Sequence, residues 1–397
     1  MTSPPPITPL LSQAPPTRSS LAHWLDLIGP AIALFAIFLF FSVFVRGGRF
    51  LSFNNFDTIL RQSAVPGIAA LGMTFVIISG GIDLSLGSMV ALCTVVIAVF
   101  LKWIHHYSDP ANPAVLYHSA TLVKIINGKP TDVELTPVTW LFLHPLAWPL
   151  LAASAGVAVG VLCGFVNGLL VTCLKLAPFI ATLGMMMILR GLAKGLARGE
   201  AVTPSAQWLN DILFPVDANP QLRWMIFAPG VWVTLFCAVL MALILNFSRF
   251  GRHVTAIGSN ENTARLCGIP ILRNKILVYT LGGFFGGLAA LWFFSRQSQG
   301  SPTLANAFEL EVIAAVVIGG ASLTGGKGSI FGAIVGALIM NVISSGCGQI
   351  YIGEFLKRLL HSDTATGLPT FVQEVVTGII IIIAVLIDRL RQRRTAA

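Results

Sequence analysis

Charge is what this sequence has least of. Asp, Glu, Lys and Arg make up 10% of its 397 residues, where soluble domains carry about a quarter. A water-exposed globule of this length is therefore excluded. Metal-type spacing is missing as well. The six cysteines, at 93, 163, 173, 237, 267 and 347, form no CxxC pair, which leaves them as small core hydrophobes instead of zinc ligands or a disulfide framework. There is no HExxH, no GxSxG and no pair of acids inside an apolar span. Intramembrane hydrolysis has nothing to run on, and no catalytic or metal-binding residue is assigned. The nearest approach to a phosphate loop is the GGKGS run. It fails because Ala321 stands where the loop needs Gly, and Gly328 where it needs Ser or Thr. No nucleotide and no other cofactor is expected on this chain.

What the sequence does have is apolar length. Hydrophobic residues make up 55% of it and the mean hydropathy is +0.82. Runs long enough to cross a bilayer core of about 30 Å recur throughout. The expected spans are 25–45, 62–80, 84–104, 147–172, 179–198, 227–247, 276–294, 310–323, 328–346 and 371–388. The fold class is thus all-α: a polytopic membrane protein of about ten transmembrane helices, in one membrane domain over 24–390. The run at 310–323 is short for a full crossing and reads as a half-helix or a tilted, broken one.

Residues 1–23, rich in Pro, Ser and Thr, read as a disordered tail. No basic start or short apolar core with a small-residue cleavage site makes them a removable leader. The net charge of +9 does not point to nucleic acid, because of where it lies. The run Asp388–Arg394 follows the last span directly, with 391–397 as a basic tail. Arg249, Arg252, Arg265, Arg273 and Lys275 fill the 248–275 loop. Basic density beside spans marks the cytoplasmic side, so both termini and that loop are expected there, in a plasma membrane. The 105–145 insertion then falls outside, and in it Asn127-Gly128 between two β-prone runs signals a hairpin. Trp208 and Trp224 in the 200–226 loop suit the membrane interface.

From Gln62 to Leu101 the one charged residue is Asp83, in the stretch ISGGIDLSLGS. Gly80-Gly81 breaks a helix running from Gln62 to Ile82. Asp83 is then placed to cap a second helix, Leu84 to Leu101, by accepting from amides near Ser85 and Leu86. Against capping stand a proton relay, the default suspicion for an intramembrane acid, and contact to a hydroxylated solute. A second break, Gly319-Gly320 followed by Ser322 and Thr324, repeats the pattern of apolar helix, Gly-Gly, small polar residues and a new apolar span. Paired interruptions of this kind point to a transport path, although the two lie in helices of the same direction and define no inverted repeat. Asn167 is a polar intruder in a span crowded with small residues, GVAVGVLCGFVNG, which predicts close helix packing. Arg190, Lys194 and Arg198 share one helical stripe. The last two are placed to snorkel, and Arg190 lies deeper and faces the interior.

In the 248–275 loop, Asn260 can cap a short helix with Glu261 in its first turn. Gly268 suits the left-handed position that ends it, and Pro270 prevents continuation. Leu266 and Ile269 are left exposed near its end. On chemistry alone this helix is either a knob for another protein's cleft or a connector in the headgroup layer.

The segments GMTFVIISGGIDLSLGS, LAPFIATLGMMMILRGLA, AIGSNENTARLCGI and ELEVIAAVVIGGASLTGGKGSIFGAIVGALI, spread in order over roughly 50–350, resemble the ribose-type (monosaccharide) permease subunits of bacterial ABC importers. That resemblance implies a homodimer of permeases in the inner membrane. It also implies a cytoplasmic ATP-binding subunit that carries the ATP, and a periplasmic sugar-binding protein. It places the coupling helix at Asn260, Glu261, Asn262, Thr263, Ala264, Arg265, Leu266 and Gly268, with Thr263 where a small alanine-like residue is usual. The path would run past the helix breaks at Gly80–Ser85 and Gly319–Thr324, and the substrate would be ribose or a similar pentose or hexose. The alternative is a self-sufficient proton-coupled transporter with Asp83 as its relay.

Overall fold

The computed structural model describes residues 20–108, 115–118, 121–126, 129–133, 147–204, 226–350 and 372–380, with isolated positions at 209, 369, 382–383 and 386. Its helices are α1 (Ser20–Phe44), α2 (Phe53–Ile78), α3 (Leu86–Ser108), α4 (Ala147–Thr172), α5 (Pro178–Leu196) and α6 (Pro229–Phe247). They continue with α7 (Arg249–Ser259), α8 (Glu261–Leu266), α9 (Ile271–Gln297), α10 (Phe308–Ile318) and α11 (Ile330–Cys347). Residues 372–380 are helical too, so each of the ten expected spans contains helix. Among the described residues, α2, α3, α4, α5, α6, α9 and α11 are long and apolar enough to cross a membrane.

Three expectations about boundaries shift. The Pro-rich stretch gives way to helix at Ser20, ahead of the tail's expected end at 23, because the last proline is Pro16 and Ser is a favoured helix-start residue. Residues 1–19 lie outside the described residues, as do Trp208, Trp224 and the 391–397 tail. The helix expected from Gln62 begins at Phe53 instead. Ser52 caps it by accepting the Asn55 N–H at 3.3 Å. Asp57 then neutralises Arg61 one turn on, at 2.7 Å. This polar first part is helical by capping and pairing, not by hydropathy. The same helix ends at Ile78, four residues before the expected Ile82, for reasons given below.

The 105–145 insertion carries strands β1 (Val115–His118), β2 (Thr121–Ile126) and β3 (Lys129–Val133), paired antiparallel in the order β1-β2-β3. Ile126 faces Lys129 as the closing pair; Asn127-Gly128, where the sequence signals a turn, lie outside the described residues. The other named elements among the described residues are helices.

Helices α2, α3 and α9 form the centre. The side chains of α2 are buried nearly all round in its membrane window, whereas α5 and α6 bury about a third of theirs. Those two helices instead expose Phe179, Ile180, Met187, Ile188, Phe236 and Val239, an apolar belt suited to lipid. The α4–α9 contact is the tightest in the bundle. A Cβ on Gly164 would meet the Tyr279 carbonyl and lie 2.9 Å from Gly283 Cα, and one on Gly160 would lie 3.0 Å from Gly287 Cα. Backbones approach this closely only where side chains are absent, which is the packing that the small-residue run in α4 predicts.

The segment 298–307 between α9 and α10 is irregular backbone at membrane depth. Gly300 packs on Thr94 and Ala98 of α3, and Ala305 on Gly87 near the start of the same helix. The segment thus descends by about 14 Å along α3. Ser298, Ala305 and Ala307 all adopt positive φ, which is uncommon away from Gly, Asn and Asp. Such backbone persists in a bilayer only when protein satisfies its polar groups. The Arg190 guanidinium does so, donating to the Pro302 carbonyl at 2.8 Å and the Leu304 carbonyl at 2.7 Å. Arg190→Met is expected to loosen this segment at a cost of about 3 kcal/mol for two charge-assisted bonds. Faster proteolytic cleavage between 298 and 307 would report it, and unchanged cleavage would refute it.

Candidate functional site

The first helix break forms a Schellman turn. With Ser79 as C-cap, the Gly80 N–H donates to the Ile77 carbonyl and the Gly81 N–H to the Val76 carbonyl, both at 2.9 Å. Gly80 takes φ +80, a conformation that costs an L-residue and suits glycine. This closure is why α2 stops at Ile78. The second break repeats it bond for bond. Gly319 is the C-cap, Gly320 takes φ +95, and the Gly320 and Ala321 amides donate to Val317 and Val316 at 2.9 and 3.1 Å.

Asp83 is not the N-cap of α3. The Ser85 carbonyl accepts the first helical bond, from Met89 N–H at 2.8 Å, so Ser85 holds the N-cap position and α3 begins at Leu86. Asp83 instead closes a tight local turn. Its Oδ1 accepts the Ser85 N–H at 2.9 Å and the Ser85 hydroxyl at 2.6 Å. Asn167 of α4 completes the cluster, its Nδ2 donating to Asp83 Oδ2 at 3.2 Å and to Ser85 Oγ at 2.8 Å. All three residues are buried. One carboxyl side chain thus collects the donors of a broken helix and ties the break to a second span.

Other expected site residues lie elsewhere. Arg190 faces the interior as expected, on the 302–304 carbonyls and not on Asp83. Lys194 and Arg198 are exposed, which fits snorkelling. Ser322 and Thr324 share a hydrogen bond of 2.9 Å. Among the cysteines, Cys93, Cys163 and Cys347 are buried, but Cys173 and Cys267 are exposed. Both stand just past helix ends, where no neighbouring span covers them.

Sequence reasoning missed the buried Tyr279 and Glu309 and the half-buried Glu311. The Tyr279 hydroxyl and a Glu309 carboxylate oxygen have no hydrogen-bond partner among the described residues. Glu309 sits against Gly87 and Glu311 follows in the same turn of α10, so acids do occur in pairs inside the bundle. The ELE run beside the polar QSQGSPTLAN was the available signal. It went unused because the segment reads as an outer loop.

The short helix α8 is built as its residues predict. Asn260 Oδ1 accepts the Thr263 N–H at 3.0 Å. Glu261 pairs with Arg265 at 3.3 Å and with Lys275 of α9 at 2.6 Å. Gly268 takes φ +76, with Gly268 and Ile269 amides returning to Arg265 and Ala264 at 3.0 and 3.1 Å. Ala264 is buried, Asn262 and Thr263 face solvent, and Leu266 is 89% exposed.

Asn260 is also the C-cap of α7, its N–H donating to the Ala256 carbonyl at 3.1 Å. No flexible residue separates the two helices. At the end of α7, Gly258 abuts the Ile78 carbonyl, and a Cβ there would lie 2.6 Å from the Gly326 amide. The Gly326 N–H itself donates to Ile78 at 2.8 Å. The exposed helix, the end of α2 and the loop after the second break therefore meet at one joint.

The family model described as "Branched-chain amino acid transport system / permease component" matches residues 55–385. The chain is 33% identical over 363 residues to a ribose import permease protein of Bacillus subtilis (strain 168), covering 91% of this chain and 92% of that one. It is 33% identical over 374 residues to a fructose import permease protein of Rhizobium meliloti, covering 93% and 88%. It is 31% identical over 382 residues to an L-arabinose transport system permease protein of Escherichia coli (strain K12), covering 96% of each. No solved structure matches. A helical bundle with two like-built breaks, matched along most of its length, belongs to the branched-chain amino acid transport system / permease component family of membrane proteins.

Proposed function

We propose that this chain is the membrane-spanning subunit of an ATP-binding-cassette importer that admits a monosaccharide, ribose or a similar pentose or hexose. Its relatives named for ribose, fructose and arabinose support the substrate class. In this reading two copies form the path in the inner membrane, with both termini cytoplasmic. A periplasmic binding protein delivers the sugar, and ATP is hydrolysed on a separate cytoplasmic subunit.

The observation that carries the reading is the joint at Gly258. A helix that presents Leu266 to solvent, and is fixed through Asn260 to α7, has no evident task inside this chain. An exposed apolar residue on a rigid capped helix suits a partner's cleft. Pushing it moves α7, and α7 bears on the Ile78 carbonyl and the 325–326 loop. Closure of the ATP-binding subunits would thereby rock the two broken helices as rigid bodies.

The double substitution Glu261→Lys with Leu266→Asp is expected to abolish ATP-dependent sugar uptake in proteoliposomes holding the whole complex. Leu266 packs against little, and elution of the variant as a folded protein checks that losing the Glu261 pairs with Arg265 and Lys275 leaves the permease intact. Uptake that persists at the wild-type rate removes the docking role.

A further inference from the structure

A polar cavity of about 230 Å³ lies between α2, α9, α10 and α11, away from the Asp83 cluster. Gln62, Glu311 and the buried Asn341 line its depth, and Arg296 and Asn306 stand exposed at its mouth. The Gly326–Ile78 bond puts the end of α2 and the start of α11 on one face of the bundle. Counted from that face, Asn341 is about 17 Å up α11 and Gln62 about 24 Å up α2. The cavity sits on the far side of the bundle from the Gly258 joint. At about 30 Å³ per water, it has room for a small solute.

The lining chemistry is specific. Arg296 and Glu311 interact electrostatically, so the cavity carries one charge of each sign and no net charge. Asn341 Nδ2 donates to the Ala337 carbonyl at 3.1 Å, leaving its Oδ1 without a partner among the described residues. The carboxamides of Gln62 and Asn306 make no hydrogen bond to described residues. Phe293 and Phe308 pack edge to face at 4.9 Å on one wall, and the Arg296 guanidinium lies 5.7 Å from the Phe293 ring centre. Mutual electrostatic attraction accounts for Arg296 and Glu311 alone. It leaves the three carboxamides unexplained.

We infer that this cavity is a solute-binding site within the permease, for a neutral, polyhydroxylated molecule of monosaccharide size. Donors and acceptors without net charge suit hydroxyl groups, and ring faces suit the apolar side of a sugar. The cavity opens beside the irregular 298–307 segment and the start of α10, as expected where unwound backbone borders a path. This inference rests on the proposed function and assigns residues to it.

The test uses the full complex in proteoliposomes with labelled D-ribose, L-arabinose and D-fructose. Glu311→Gln and Asn341→Leu are expected to lower uptake about tenfold each, the effect of one lost buried hydrogen bond. ATP hydrolysis stimulated by the binding protein should stay within about twofold of wild type. Asn306→Trp, at the exposed mouth and so harmless to the core, should block uptake while eluting as a folded protein. In a background where Cys173 and Cys267 are serine, Asn341→Cys should react with a methanethiosulfonate reagent. The transported sugar should slow that reaction, and L-leucine should not. Wild-type uptake in folded Asn306→Trp and Asn341→Leu, or equal protection by leucine, overturns the site. A wild-type complex that imports none of the three sugars overturns the proposed function instead.

Discussion

Gly164→Leu is expected to leave little folded protein, with an unfolding midpoint well below that of the parent. The reason is the α4–α9 seam, where the new side chain would start inside the Tyr279 carbonyl and 2.9 Å from Gly283 Cα. Both obstacles are main chain, so no rotamer change relieves them and the helices must separate. Overpacking a core costs about 1–3 kcal/mol when side chains can shift. Here they cannot, and separation would also open the neighbouring Gly160–Gly287 contact, so the loss should exceed that range. Gly191→Ala on α5 is the control. A Cβ there meets nothing within 4 Å, and alanine is favoured over glycine inside a helix by about 1 kcal/mol. That variant should match or exceed the parent midpoint. Detergent-solubilised melting followed by size exclusion reads both. A Gly164→Leu protein that melts with the parent would mean that the helices are not held at this distance.

The second large effect concerns Asp83. Asp83→Leu strips the acceptor from three donors: the Ser85 N–H, the Ser85 hydroxyl and the Asn167 amide. Orphaned donors cost about 1–3 kcal/mol each, and removing an acid from the bilayer returns about 2.5–3.5 kcal/mol. The net expectation is a loss of about 3 kcal/mol, enough to deplete the folded fraction of a marginal protein. Asp83→Asn separates structure from proton transfer. It keeps Oδ1 for Ser85 but turns an amide toward the Asn167 amide, donor against donor. The paired exchange Asp83→Asn with Asn167→Asp restores a donor–acceptor match with the acid on the other helix. Stability, and under the proposed function ATP-driven uptake, should therefore recover in the double variant relative to either single one. A relay that needs its acid at position 83 predicts no recovery, and uptake driven by a pH gradient without ATP.

These two sites differ in how far the sequence announces them. The glycine seam is visible in α4 because the four-residue spacing from Gly156 to Gly168 is local, and its partner needed only another glycine-bearing helix. At Asp83 the sequence signals a capped break. It does not reveal that Ser85 occupies the cap or that Asn167, 84 residues away, supplies a donor. Span positions were legible wherever hydropathy alone sets the helix. The first part of α2 escaped because Asn54, Asn55, Asp57 and Arg61 are polar. Their helicity comes from the Ser52 cap and an ion pair. The 298–307 segment escaped entirely. Its local composition is that of a surface loop, and what holds it inside is a guanidinium from α5.

Helix α10 has eleven residues, about 16 Å of rise against a core of about 30 Å. A nascent chain halted after it offers the insertion machinery a stretch too short to lodge, preceded by ten residues of irregular backbone. During synthesis this portion has to wait beside the membrane until Arg190 and the α11 segment are both in place. Chains truncated before Ile330 should therefore be cleared by cellular proteases, even though six of the seven long apolar helices among the described residues have already been made.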